Sequence, residues 1–550
     1  MTTLKIKKVL FWLLLIGGFT ALGSVMLRPP PFSGPIDERA PNIEHRPDAL
    51  IRSHSLSRLP PDLLRIPLAR DVLTEDFVTY YEQNENRLAL SGTLRRIAFE
   101  HKLDFSEKLL KSVFDEPVEI ALWRDDAGRL KDFVIVLSRN PLARIIQTAL
   151  PAVVEATDMQ LSSAGKLDGT NVEILVLRYG TGHQLMLLSK GDRIVALSNP
   201  GMLLKEKNQQ SEEAVERIKE LLKGEKPDGK SVSPFAKQFS LEKPLPEKTH
   251  ELTFNARAFA LNYEAFVPGL EALNLSFDDQ GKWQSAILLN GPAWRNGDNG
   301  NLWAALPHGP GFCAVLPVDW EQMASLLKNF NAGSEPPTEE KLDPEKFTAS
   351  FAGPAAVCWY KDSRLYMPLF AAQLNADADE KKVQEFFGLA AQATKAGKGN
   401  TSTEAKSDSA IWQGEISSRF GSSNSDNERS LKPALAIQHD TVFFSPNAAL
   451  VKNALDVAAK RWPALSDSLQ SKTPLAFIDP QSLASLLRAE IFIALPRNEE
   501  ALFRNAAEAY LVPRLDALAR YPTQHIGLSK KVDGNDLVWY PLEWKEGTTR

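Results

Sequence analysis

Three short stretches of the chain return, in the same order, in its second half. Phe114-Asp-Glu-Pro117, followed by a Trp-Arg-Asp turn and Arg129-Leu130, recurs as Phe351-Ala-Gly-Pro354 with Trp359-Tyr-Lys-Asp362 and Arg364-Leu365. Asp192-Arg-Ile-Val-Ala-Leu-Ser198 recurs as Asp440-Thr-Val-Phe-Phe-Ser445, and Leu275-Ser276 with Gly281 as Leu528-Ser529 with Gly534. A fixed order at slowly growing spacing is what a duplication with loop insertions leaves behind, whereas chance matches scatter. The expectation is two tandem homologous α+β units, residues 59–290 and 303–545, each large enough to bury its own core.

The N-terminus carries a second constraint. Lys5, Lys7 and Lys8 precede Val9 to Leu27, nineteen residues without a charge. As a helix this run would span about 28 Å, close to the hydrocarbon thickness of a bilayer. With the lysines kept on the cytoplasmic side, everything after Arg28 lies across the membrane. Residues 1–28 are thus read as a transmembrane helix acting as anchor. The competing reading is a cleaved signal peptide ending near Ala21-Leu22-Gly23. Residues 29–58, with Pro29, Pro30, Pro31, Pro35, Pro41 and Pro47, read as a Pro-rich linker that holds the folded part off the membrane.

Period-two alternation and turn residues place a hairpin at Val118 to Trp123 and Lys131 to Leu137. Further strands are expected at Val172 to Arg178, Gln184 to Leu188 and Arg193 to Leu197. Ser211 to Leu222 sets Ala214, Val215, Ile218, Leu221 and Leu222 on one helical face. The second half mirrors this with a hairpin at Ala356 to Tyr360 and Leu365 to Ala371 and a helix carrying Val383, Phe386, Phe387 and Ala390. Adjacent strands with helices between hairpins indicate α+β architecture with antiparallel sheets. Ile526 to Trp544 reads as a closing hairpin. Thr394 to Ser409 and Gly421 to Ser430 read as polar loop insertions.

Candidate chemistry is sparse. Gly224 to Ser231 fits GxxxxGKS letter for letter, but a phosphate cradle needs a strand before it and a helix opening at the Lys. Here a helix ends at Leu222 and a Pro-interrupted stretch follows, so no nucleotide is expected. Ser163 with Lys166 and Ser240 with Lys243 fit the SxxK spacing in polar, loop-like sequence without a supporting motif. The eight histidines are dispersed singly, which supports no metal site, and no cofactor is expected. Asp125-Asp126 and Asp278-Asp279 sit in expected hairpin turns, where Asp serves the backbone. The tryptophans stand mostly in strand-like runs, where an aromatic is more often core than recognition groove. Cys313 and Cys358 are the only cysteines, open to a disulfide in an oxidising compartment or to two buried thiols. A formal charge of −5 gives no electrostatic reason to expect nucleic acid.

The stretch LARDVLTEDFVTYYEQNENRLALSGTLRRIAFEH, from Leu68 to His101, together with FDEPVEIALWRDDAGRLKDF and DRIVALSNPGMLL, resembles the YfaA-like family of uncharacterised bacterial membrane-anchored envelope proteins. The resemblance implies a bacterial inner-membrane protein, single-pass, with the bulk of the chain periplasmic. It implies no catalytic residues. The leading reading is a non-enzymatic protein-binding or scaffold component with an envelope protein partner, held at the inner membrane through residues 9–27. The alternatives are an envelope hydrolase with a non-contiguous active site and a ligand- or glycan-binding module.

Overall fold

Buried and half-exposed residues alternate along much of Phe351–Tyr360, the period of two expected of a strand. A computed structural model describes most of residues 31–547. Residues 1–30, 67–116, 139–159, 224–231, 332–342, 394–401, 419–428, 495–503, 548–550 and some shorter gaps lie outside it. Three sequence readings therefore fall outside the described residues: the apolar run Val9 to Leu27, the Leu68 to His101 stretch and the GxxxxGKS match.

Contacts divide the chain into two compact units, residues 1–259 with 272–284 and residues 260–271 with 285–550. The first is built on β1 (Ala49–Ser53), β2 (Val118–Arg124), β3 (Leu130–Ser138), β4 (Gln160–Lys166), β5 (Glu173–Tyr179), β6 (His183–Lys190), β7 (Arg193–Leu197), β8 (His250–Asn255) and β9 (Leu270–Phe277). Its antiparallel ladder runs β4–β5–β6–β7–β3–β2–β1–β8–β9.

The second holds nearly all of β10 (Trp283–Asn290), then β11 (Pro310–Pro317), β12 (Phe351–Tyr360), β13 (Leu369–Leu374), β14 (Ser402–Lys406), β15 (Ser409–Gln413), the small hairpin β16 (Ile416–Ser418) and β17 (Arg429–Leu431), β18 (Ala434–Gln438), β19 (Thr441–Ser445), β20 (Ala476–Ile478), β21 (Gln524–Leu528) and β22 (Leu537–Glu546). Its ladder runs β14–β15–β18–β19–β13–β12–β11–β20–β21–β22–β10, again antiparallel.

These ladders correct the expected fold class. Among the described residues twenty strands belong to one hydrogen-bonded sheet, so the chain is not a pair of separate α+β units laid in tandem. The compact units also interleave in sequence rather than following one another. Nor do the described residues supply the expected transmembrane helix: none of their helices is long and apolar enough to cross a membrane. The physical reason is that a strand leaves a row of main-chain donors and acceptors on its open edge, which a further strand can pair with wherever it comes from in the sequence. What the recurring stretches mark is a common strand order within one sheet.

Two further differences concern particular segments. The stretch read as a linker contains β1, which pairs with both β2 and β8 in the middle of its ladder. Ile43 is fully buried, and the carbonyl of Glu44 accepts from Gln238. The stretch read as a polar insertion contains β14, whose SerThrGluAlaLys sequence forms an edge strand against β15. Polar composition hid it, because an edge strand needs no apolar face on its open side.

Helices cover the ladders. Glu212–Lys223 buries the five apolar residues of its stripe over β6 and β7. In the second unit both faces are apolar: Ala434 and Ala436 of β18 join the cluster around Trp303, Tyr360 and Phe443, whereas Leu435 and Ile437 face Val383 and Phe387. Pro480–Ala494 lies so close on β11 that a Cβ at Gly311 would stand 2.7 Å from the Leu483 nitrogen. Only glycine admits that approach. Cys313 and Cys358 sit directly opposite on β11 and β12, fully buried, with their sulfurs joined.

Candidate functional site

The residue types of acyl-transfer catalysis converge at one place, in the first unit. The antiparallel register sets Ser53, the last residue of β1, directly opposite His250, the first of β8. Strand alternation sends Arg52 and Glu251 to the other face, where Arg52 Nη1 meets Glu251 Oε2 at 2.7 Å and Nη2 donates to the Lys243 carbonyl at 3.3 Å. The chain then turns into the short helix Leu59–Leu63, which returns Asp62 to the Ser53 side.

The result is a continuous polar row. His250 Nδ1 lies 2.7 Å from Ser53 Oγ, and His250 Nε2 lies 3.1 Å from Asp62 Oδ2. The carboxylate can only accept, so Nε2 carries the ring proton and Nδ1 accepts from the Ser53 hydroxyl. Ser53 Oγ in turn accepts from the Ser55 N–H at 3.0 Å. Apolar side chains close over the row: Leu59, Leu252 and Phe277 form a buried cluster, and Phe277 meets the imidazole edge-on at 6.4 Å. Burial pushes the His250 pKa down, with the Asp62 carboxylate pulling the other way. The imidazole is therefore held neutral near pH 7.

Hydroxyl, imidazole and carboxylate in a row are the parts of a nucleophilic triad, but two features set this one apart. In such a triad the hydroxyl bonds Nε2 and the carboxylate Nδ1; here the ring is reversed. Ser53, His250 and Asp62 are moreover only 1%, 1% and 2% exposed, which leaves the hydroxyl no face to offer a substrate. The arrangement can clamp β1, β8 and the helix Leu59–Leu63 together, each polar group satisfied by the next.

Sequence reasoning missed the row. Ser53 lies in the segment read as a linker, His250 was one of eight scattered histidines, and 197 residues separate the pair. No linear spacing encodes a contact made by strand pairing.

The residues singled out from sequence are mostly structural. Ser163 and Lys166 both lie on strand β4, and Ser240 occupies a left-handed turn. Asp278 accepts from the backbone of Gln280 and Lys282. Trp123, Trp303, Trp320 and Trp359 donate their indole N–H groups to backbone carbonyls. Among the described residues no group of three or more His, Cys, Asp or Glu could hold a metal. A cleft of about 320 Å³ between Pro480–Ala494 and Val512–Leu518 holds Arg488 and Asp516, which neutralise one another.

A second buried histidine contrasts with the first. His525 on β21 is 2% exposed, and among the described residues neither ring nitrogen has a hydrogen-bond partner. The Phe477 ring lies 5.4 Å away, and burial alone lowers the His525 pKa.

Residues 7–544 match the family described as "Uncharacterized protein conserved in bacteria (DUF2138)". The "Uncharacterized protein YfaA" of Escherichia coli (strain K12) is 32% identical over 550 residues, covering 93% of each chain. The chain belongs to this YfaA-like family. No solved structure matches it. The family description names no activity.

Proposed function

We propose that this protein is a component of the bacterial cell envelope, held at the inner membrane through residues 9–27, that works by binding another protein rather than by catalysis. The sealing of the Ser53–His250–Asp62 row carries the reading. The described residues that come nearest to catalytic machinery have their chemistry spent on holding strands together. Large apolar side chains that a partner would cover, Leu365, Trp462, Leu537 and Trp544, stand exposed in the second unit. The basic flank and charge-free run at the N-terminus support the address.

In-cell crosslinking of the full chain, followed by purification and mass spectrometry, tests this reading. A reproducible envelope partner should be recovered, and lost from a form lacking residues 1–28. Full recovery of function by that untethered form would overturn the tethering.

A hydrolase reading is favoured by one observation, the convergence of Ser53, His250 and Asp62 from distant segments. It requires the row to open. A Ser53→Ala variant that loses an envelope phenotype while folding normally would support it over the binding reading.

A further inference from the structure

The segment joining the apolar run to the fold does not act as a spacer. Pro31 forms a parallel bridge with Ser163 of β4, and the Phe32 N–H donates to the Ser163 carbonyl at 2.7 Å. Phe32 is buried. The chemistry of this clip is local: Pro29, Pro30 and Pro31 have no N–H, so Phe32 is the first residue after Arg28 able to donate to the free edge of β4. Among the described residues β4 ends its ladder, and the clip covers main-chain groups on its outer edge.

From this we infer that the β4 edge of the first unit is a membrane-facing surface, held against the lipid headgroups of the bilayer that carries residues 9–27. The inference rests on the tethering proposed above. Three residues, Arg28 to Pro30, separate Leu27 from Pro31, so the four steps between them reach at most about 14 Å fully extended. The headgroup layer is itself roughly 5–8 Å deep on each side. The clipped edge therefore cannot stand farther than about one headgroup layer beyond the membrane surface. Lys166, at the exposed end of β4, would lie at this boundary, whereas the turn at Gln280, after β9 at the opposite end of the ladder, would not.

The test uses the full chain reconstituted into vesicles of phosphatidylethanolamine and phosphatidylglycerol with a headgroup-attached quencher. A single fluorophore is placed through Lys166→Cys or Gln280→Cys, both native cysteines being engaged with one another. Quenching at position 166 should exceed that at 280 several-fold. Inserting a flexible Gly/Ser segment of roughly 30 residues between Leu27 and Arg28, about 30 Å in mean reach, should bring the two signals together while the protein still floats with the vesicles. Phe32→Asp, which unseats the clip without touching the apolar run, should reduce the difference in the same direction. Equal quenching at both positions in floating, uninserted protein would overturn the membrane-facing edge and leave the tethering intact. Failure of the protein to float would overturn both.

Discussion

The two compact units share a strand order yet close their central strands with different chemistry. In the first, β1 is tied to β8 by Ser53, His250 and Asp62, a polar row in which every group satisfies its neighbour. In the second, β11 is tied to β12 by the disulfide of Cys313 and Cys358, and β20 offers Phe477 to an imidazole that has no hydrogen-bond partner among the described residues. A ladder fixes where strands lie, but leaves open what their buried side chains do. The first tie answers to pH and the second to redox state.

The largest effect should come from the second unit. Replacing Cys313 and Cys358 with Ala frees a loop of 45 residues and should cost up to about 4 kcal/mol, read as a lower urea midpoint. An unchanged midpoint would mean the covalent tie adds nothing to the β11–β12 ladder. Next, Asp62→Ala leaves the His250 Nε2–H buried without its acceptor and should cost about 1–3 kcal/mol in thermal or chemical unfolding. Asp62→Asn, whose amide oxygen can still accept, should cost less; equal losses would argue against the hydrogen bond as the clamp.

The pH dependence sharpens the contrast between the histidines. Both are held neutral with pKa values below that of free imidazole, so the unfolded chain binds more protons in acid. Stability is then complete above pH of about 6.5 and falls as pH drops below it. Asp62 opposes the depression at His250 and nothing opposes it at His525. Stability curves measured against pH should accordingly flatten for His525→Phe and steepen for Asp62→Asn, which deepens the depression at His250. A His525→Phe curve superposable on the parent would show that this imidazole does not titrate on unfolding. The smallest effect belongs to the exposed turn: Asp278→Ala gives up two backbone hydrogen bonds and should cost under about 1 kcal/mol.

The legible parts of the sequence were those with local physics. Val118 to Trp123 and Lys131 to Leu137 alternate around a turn, and they form β2 and β3. Glu212–Lys223 presents its apolar stripe at helical spacing and buries it. β1 was illegible because five residues in a Pro-rich context become a strand only when β2 and β8 flank them. β14 was illegible because a sequence as polar as SerThrGluAlaLys shows no apolar alternation, and its pairing with β15 is made by the backbone. The continuity of the sheet was hidden because β10 pairs with β22, at the far end of the sequence. The Ser53–His250–Asp62 row depends on that pairing and on the turn into Leu59–Leu63, neither of which any spacing in the sequence announces.

The claim on which the account turns is that this row is a sealed clamp rather than a nucleophile. Native full-length protein treated with a fluorophosphonate serine probe, then digested and mapped by mass spectrometry, tests it directly. No adduct should form at Ser53 in the folded protein. A stoichiometric adduct at Ser53 that disappears in His250→Ala, with the fold of that variant intact, would contradict it and make the row an active site.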